Sequence, residues 1–224
     1  MELSNITLVS ICGISDVKNV SNTFRAILYS MRGLKFGDVK FITSYKGEDL
    51  TIECDKYGIK HIKIDELDYE GYNRFVVYDL KNYVDTDYVI IIQDDGYIIN
   101  PHLWNDKFFE YDYIGAPWPM PQDNFSYRDA FNNLVRVGNG GFSFRSKKLL
   151  SLPSELNLEW KPFFGFYNED GFFTCHNRHF FEAEGCKYAP VEVAVHFSFE
   201  SEIPENKGII PFGFHGKWSK YKQW

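Results

Sequence analysis

The stretch Tyr88-Val89-Ile90-Ile91-Ile92-Gln93-Asp94-Asp95-Gly96 constrains the fold more than any other. An unbroken β-branched run this short reads as a strand buried on both faces, as in a parallel or mixed sheet covered by helices. It ends in two adjacent carboxylates and a glycine. In open α/β sheets the carboxyl ends of the strands are where ligands bind, and two Asp side chains there suit a hard divalent cation. Asp-Gly is equally a turn dipeptide, and on this stretch alone both readings stand.

The elements around it follow from periodicity. Ile6 to Ile14 reads as a first strand closed by Gly13. Ser21 or Asn22 caps a helix with apolar positions Phe24, Ile27, Leu28 and Met31, ended by Gly33. A second strand is predicted over Val39 to Ser44, a short helix over Glu48 to Tyr57, and a third strand over Ile59 to Ile64. Tyr72, Phe75, Val76, Leu80 and Tyr83 share one helical face before the Tyr88 strand. This alternation predicts a Rossmann-like, mostly parallel sheet. No GxGxxG or Walker glycine loop accompanies it, which argues against a dinucleotide dehydrogenase or a P-loop NTPase.

After residue 100, Pro101, Pro117, Pro119 and Pro121 interrupt the chain. Tyr111 to Ala116 reads as a strand, Phe125 to Arg136 as a loop with a short helix, and Gly140 to Arg145 as a strand followed by a helix opened by Ser146. Asn168 caps a predicted helix from Glu169 to about Glu184, ended by Gly185. Tyr188 to Phe199 reads as one or two strands, and a Gly- and aromatic-rich tail follows. No linker or repeat divides the 224 residues, so a single domain is expected, residues 1–100 forming one half and 101–224 the other.

Composition excludes some functions. A formal net charge of −7 with no compact Lys/Arg run argues against nucleic-acid binding. Cys12, Cys54, Cys175 and Cys186 have no paired spacing, which points to reduced thiols rather than zinc or a disulfide framework. No apolar run approaches the ~20 residues of a membrane span. A soluble, cytoplasmic protein is expected. The 21 Phe, 15 Tyr and 5 Trp exceed what is usual; part must be core, while sugar-handling clefts also favour flat rings with a polar tip.

Besides Gln93-Asp94-Asp95, three clusters carry potential chemistry. In Val137-Gly138-Asn139-Gly140-Gly141-Phe142-Ser143 the glycines allow close approach of backbone to a ligand, or simply turn the chain into a strand. In Phe166-Tyr167-Asn168-Glu169-Asp170-Gly171 the carboxylates are either capping charges or a rigidly held general base. In Phe212-Gly213-Phe214-His215-Gly216-Lys217-Trp218 the His suits a metal and the Lys a phosphate, against the plainer reading of a surface tail.

Together these residues resemble the GT-A fold of nucleotide-sugar glycosyltransferases: a buried strand ending in an Asp-x-Asp-like motif, then Asn-Gly-Gly-Phe, Glu-Asp and a C-terminal His. Gln93-x-Asp95, Tyr111-Asp112-Tyr113-Ile114-Gly115-Ala116-Pro117-Trp118, Gly138-Asn139-Gly140-Gly141-Phe142-Ser143 and Asn168-Glu169-Asp170 more closely resemble an uncharacterised family of glycosyltransferase-like domains. That match runs from about residue 60 to the end. The resemblance implies an α/β single-domain GT-A-like fold with a mixed central sheet. It implies Asp95 and His215 as ligands of Mn²⁺ or Mg²⁺, with Asp94 beside them and Gln93 where the motif's first Asp usually stands. Lys217 would meet the diphosphate, and Asn139, Gly140 and Gly141 would line the donor sugar and acceptor. Trp118 would stack on a sugar ring; Cys12, Gly13 and Ile14 would border the nucleotide base; Arg74 would reach a phosphate. Asp170, or failing it Glu169, would be the base.

The chemistry suits these residue types. Breaking a sugar–phosphate bond develops oxocarbenium character at carbon and negative charge on the leaving nucleotide diphosphate. A cation and a lysine stabilise that charge, and only the incoming hydroxyl needs a base. The expected partners are a nucleotide-sugar, most simply a UDP-sugar, and a glycan or saccharide acceptor. Inverting transfer is expected first; retaining transfer, a sugar-binding module without turnover, and a nucleotidyltransferase are the rivals.

Overall fold

A computed structural model describes residues 1–162 and 168–224. Phe166 and Tyr167 of the third cluster lie outside the described residues. The first half alternates as its periodicity predicts: β1 (Glu2–Cys12), α1 (Val17–Ser30), β2 (Lys35–Thr43), α2 (Glu48–Lys56), β3 (Lys60–Lys63), α3 (Tyr69–Tyr78) and β4 (Tyr88–Ile92). A short β5 (Gly96–Ile98) follows, then β6 (Tyr113–Ile114), β7 (Ser143–Ser146), α4 (Lys147–Glu155), the single turn α5 (Glu169–Gly171), α6 (Arg178–Ala183), α7 (Val191–Phe197), β8 (Ser198–Phe199) and β9 (Gly213–His215).

Six strands form the main sheet in the order β3-β2-β1-β4-β7-β6. The first four are parallel, and β7 and β6 add antiparallel pairings. Helices cover both faces, so β4 has no polar side to spend: Ile90, Ile91 and Ile92 are at most 1% exposed. Each such side chain contributes about 1.5–3 kcal/mol through burial. Strand order reverses between β1 and β4, where Ser10 lies opposite Ile92 and donates its hydroxyl to the Ile92 carbonyl. That switch point is where the fold leaves a crevice. A smaller sheet, β5-β9-β8, hangs from the end of β4 and brings the C-terminal residues back to it.

Four expectations are corrected. Helix α1 starts earlier than Ser21, because Asp16 caps it by accepting the Asn19 amide proton. Residues 125–136 form no helix; Asp123 and Asp129 instead bind the backbone amides of Phe125, Ser126, Phe131 and Asn133, holding a turned loop. The long helix from Glu169 is broken: α5 gives way to a π-helical turn over Phe172–His176, and Asn177 separates that turn from α6. Residues Val191–Phe197 are α7 rather than strand, so only Ser198 and Phe199 extend. In contrast, Ser146 caps α4 as expected, accepting from the Leu149 amide.

Candidate active site

At the end of β4 the chain folds straight back. The Gln93 amide donates to the Gly96 carbonyl at 2.8 Å and the Gly96 amide to the Gln93 carbonyl at 3.2 Å, so Asp94 and Asp95 form the tip of a two-residue turn into β5. The turn reading of this dipeptide therefore holds, and the turn sends the two carboxylates to different places. Asp94 lines a cavity of about 320 Å³ with Cys12, Gly13, Ile14, Tyr69 and Gln93, at the crevice between β1 and β4. Burial first, then the Asp95 charge, raises the Asp94 carboxyl above the usual range, with Lys222 and Lys217 opposing.

Asp95 faces the C-terminal sheet instead. The antiparallel pairing of β5 with β9 sets Gly96 opposite His215, and the His215 Nε2 atom lies 3.7 Å from Asp95 Oδ1 and 3.3 Å from Gln93 Oε1. Gln93 is oriented by its amide N–H donating to the Tyr72 hydroxyl at 2.8 Å. On the other edge of the ring, Nδ1 lies 3.2 Å from Glu200 Oε1. Burial opposes charge on His215, but the Glu200 hydrogen bond and the charges of Asp95, Glu200 and Asp170 outweigh it and raise the imidazole above its ordinary range.

The glycines of the second cluster serve close approach. A Cβ on Gly141 would overlap the His215 imidazole, and one on Gly140 would overlap the Glu169 carboxylate. Asn139 orients itself by accepting the Gly141 amide proton at Oδ1 (3.1 Å) and donates from Nδ2 to Glu200 at 2.7 Å.

A second cavity, of about 450 Å³, is lined by Trp118, Tyr127, Asn139, Asn168, Asp170, His176 and Glu200, among others. Its wall touches that of the first where the Tyr69 hydroxyl hydrogen-bonds Asn168 Oδ1. Trp118 forms its apolar wall, stacked on Tyr127 with ring centroids 4.5 Å apart. Asp170 enters this cavity from α5. Burial first and the neighbouring Glu169 charge second raise its carboxyl to about 7, a value suited to accepting a proton near neutrality. The π-helical turn places Cys175 and His176 on the same wall, and burial lowers His176 to about 4, so its imidazole is neutral there.

Glu169 does different work. It is 6% exposed and paired with Arg145 at 2.6 Å. Arg145, fully buried on β7, packs its guanidinium over Tyr113 and Phe173. The Glu169 amide also donates to Asn73 Oδ1 at 2.8 Å. Thus α5, too short to hold itself, is anchored at its first residue, which fixes where Asp170 points. Such a buried pair is costly to break from one side.

Gln93 and Asp94 line the first cavity and Asn139 and Asp170 the second, while Asp95 and His215 face each other behind them, linked to the second cavity through Glu200. Arg74 lines neither; it is exposed, with its guanidinium 5.6 Å above the Tyr78 ring. Lys217 is also exposed, in a shallow groove with Glu200 and Trp218. Sequence reasoning missed Glu200, Tyr72, Asn73, His176 and Arg145. Only Arg145 carried a signal, as a charge inside an apolar strand.

Among the described residues no group of three or more His, Cys, Asp or Glu side chains is placed to hold a metal. Asp95 and His215 would supply two ionisable ligands, and the Gln93 side-chain Oε1 a neutral third. Oxygen-rich sets with few protein ligands suit Mg²⁺ or Mn²⁺ completed by substrate phosphate. The residues fit such an ion.

A four-stranded parallel run extended by antiparallel strands, with helices on both faces and a carboxylate turn at the switch point, defines a GT-A-like glycosyltransferase fold. An active-site mutant of LgtC superposes with a TM-score of 0.55 at 10% identity, covering 96% of this chain and 86% of the other. A glycosyltransferase involved in the glycosylation of the major capsid of PBCV-1 gives 0.50 at 11% identity, covering 96% and 94%. No curated protein matches the chain. Residues 58–215 match the family described as "Protein of unknown function (DUF5672)", and the chain belongs to that family. All four cysteines are free and buried, and no helix among the described residues is long and apolar enough to cross a membrane.

Proposed function

We propose that the chain is a glycosyltransferase that moves a sugar from a nucleotide-sugar, most simply a UDP-sugar, to a hydroxyl of a saccharide acceptor, with inversion at the anomeric carbon. One observation carries the reading: Asp170, with its carboxyl raised to about 7, stands in a cavity that adjoins the carboxylate turn and His215. The cavity at the switch point takes the nucleotide, bordered by Cys12, Gly13 and Ile14. The larger cavity takes the acceptor, with Trp118 beneath a sugar ring and Asn139 and Asn168 as hydrogen-bonding groups.

Asp95 and His215, with the Gln93 carbonyl, would hold Mn²⁺ or Mg²⁺. Bound there, the ion supplies positive charge to a leaving diphosphate. Asp170 takes the proton of the acceptor hydroxyl as the new bond to the anomeric carbon forms and the sugar–phosphate bond breaks. Its ionised form is reached near neutral pH, so base strength and availability are matched. Lys217 and Lys222, whose charges are felt at Asp94, add cationic character on the nucleotide side.

The test is nucleotide release across a panel of sugar nucleotides, with Mn²⁺ or with chelator, on wild type, Asp95→Ala and Asp170→Asn. Turnover is lost in both variants, while donor binding falls mainly in Asp95→Ala. Anomeric NMR of the product shows inversion. Sugar binding that needs neither nucleotide nor metal and survives Asp170→Asn would instead identify a binding module without turnover.

A further inference from the structure

The parallel pairing of β8 with β9 aligns Ser198 with Gly213 and Phe199 with Phe214. The next step along both strands places Glu200 beside His215. One oxygen of Glu200, Oε1, receives two contacts: Asn139 Nδ2 at 2.7 Å and His215 Nδ1 at 3.2 Å. Asn139 is itself oriented by the Gly141 amide. The carboxylate is therefore held from the acceptor side and applied to the ring from behind.

Two acceptor oxygens face the opposite ring edge. Gln93 Oε1 and Asp95 Oδ1 lie 3.3 and 3.7 Å from Nε2. A neutral imidazole has one proton to place. Held at Nδ1, it satisfies Glu200 and leaves the Nε2 lone pair among two oxygens, an arrangement that calls for a positive centre. Held at Nε2, it leaves the Nδ1 lone pair against a carboxylate. Glu200 decides between the two.

We propose that Glu200 is the positioning residue of this site: it holds the proton of His215 on Nδ1 and so presents Nε2, together with Asp95 and Gln93, to a divalent cation. The inference rests on the cation reading above and deepens it. A carboxylate behind a ligating histidine fixes the tautomer and the ring angle, and removing such a partner costs about 10–100-fold in metal affinity. Because Glu200 also lines the acceptor cavity, the same side chain ties the two halves of the site.

The experiment has two arms, on wild type, Glu200→Ala and Glu200→Gln. ¹⁵N NMR of the His215 ring, at a pH alkaline enough to leave it neutral, reads the tautomer without metal. Calorimetric titration with Mn²⁺, alone and with UDP present, reads affinity. We expect an Nδ1–H ring in wild type, an Nε2–H ring in Glu200→Ala, and a Mn²⁺ affinity at least about tenfold weaker in Glu200→Ala, with Glu200→Gln between because its amide oxygen still accepts. The same tautomer in wild type and Glu200→Ala, or Mn²⁺ binding within about twofold of wild type, overturns the assignment. Wild type that binds no Mn²⁺ in the presence of UDP defeats the cation reading instead, and the NMR arm still decides what Glu200 does. A general loosening of the structure would lower the melting temperature of Glu200→Ala without switching the ring proton.

Discussion

Replacing Asp170 by Asn should stabilise the protein while abolishing turnover, and by an amount that depends on pH. The folded chain raises this carboxyl from 3.8 to about 7, through burial and the Glu169 charge. Below pH 3.8 the group is protonated in folded and unfolded chains alike and contributes nothing. As pH rises toward about 7, the unfolded chain gives up the proton and the folded chain keeps it, so wild-type stability falls. Above that value both forms are ionised and the penalty is constant. That rise corresponds to about 4 kcal/mol as an upper limit; one side of the carboxyl faces an open cavity, so water screens part of it and about 2 kcal/mol is expected. Asn keeps the acceptor oxygen that receives the Gly171 amide at 2.7 Å, so the turn itself is preserved. Urea denaturation of both proteins at about pH 5 and about pH 8 measures the difference. The variant's advantage should widen by about 1–2 kcal/mol between the two conditions. An advantage independent of pH, or a variant less stable than wild type at the higher pH, refutes the reasoning that Asp170 is a desolvated base.

Three further changes probe the surroundings. Glu169→Gln leaves Arg145 buried without its partner and should cost about 3–5 kcal/mol in chemical denaturation, part of which Arg145→Met added to it should restore. Gly141→Ala forces a methyl into the His215 ring and to within 2.9 Å of Gln93 Oε1; the fold should survive with about 1–3 kcal/mol lost, while Mn²⁺ binding falls about tenfold in titration calorimetry. Trp118→Ala strips Tyr127 of its stacking partner and removes the apolar wall; in steady-state kinetics KM for the acceptor should rise with kcat changed little, because uniform binding is lost.

The first hundred residues were legible because their β-branched runs and helical stripes agree with the final burial. Ile90 to Ile92 look buried and are. The second half was less so, for physical reasons. Val191, Val193 and Val195 favour strand on propensity, yet the segment packs as α7, and tertiary contacts override so short a preference. The cap at Asn168 and the stop at Gly185 gave no warning of the π-helical turn between them, which sets Cys175 and His176 on the cavity wall. Asp95, Asn139 and Asp170 carry recognisable motifs and sit in the site. Glu200 carries none, because its position depends on strand register between β8 and β9, which a single sequence does not display. Glu169 and Asp170 are adjacent and chemically alike; the buried Arg145 separates a charge that holds the turn from one that faces the cavity.

The antiparallel pairing of Gly96 with His215 joins distant parts of the chain. Asp95 and its imidazole partner are 120 positions apart, and they meet only after β9 has docked between β5 and β8. A nascent chain that has emerged through α7 already carries the carboxylate turn but no ring to complete it. On the proposed reading, in which Asp95 and His215 share a cation, such an intermediate would hold one of the two ionisable ligands and lack the other until β9 docks.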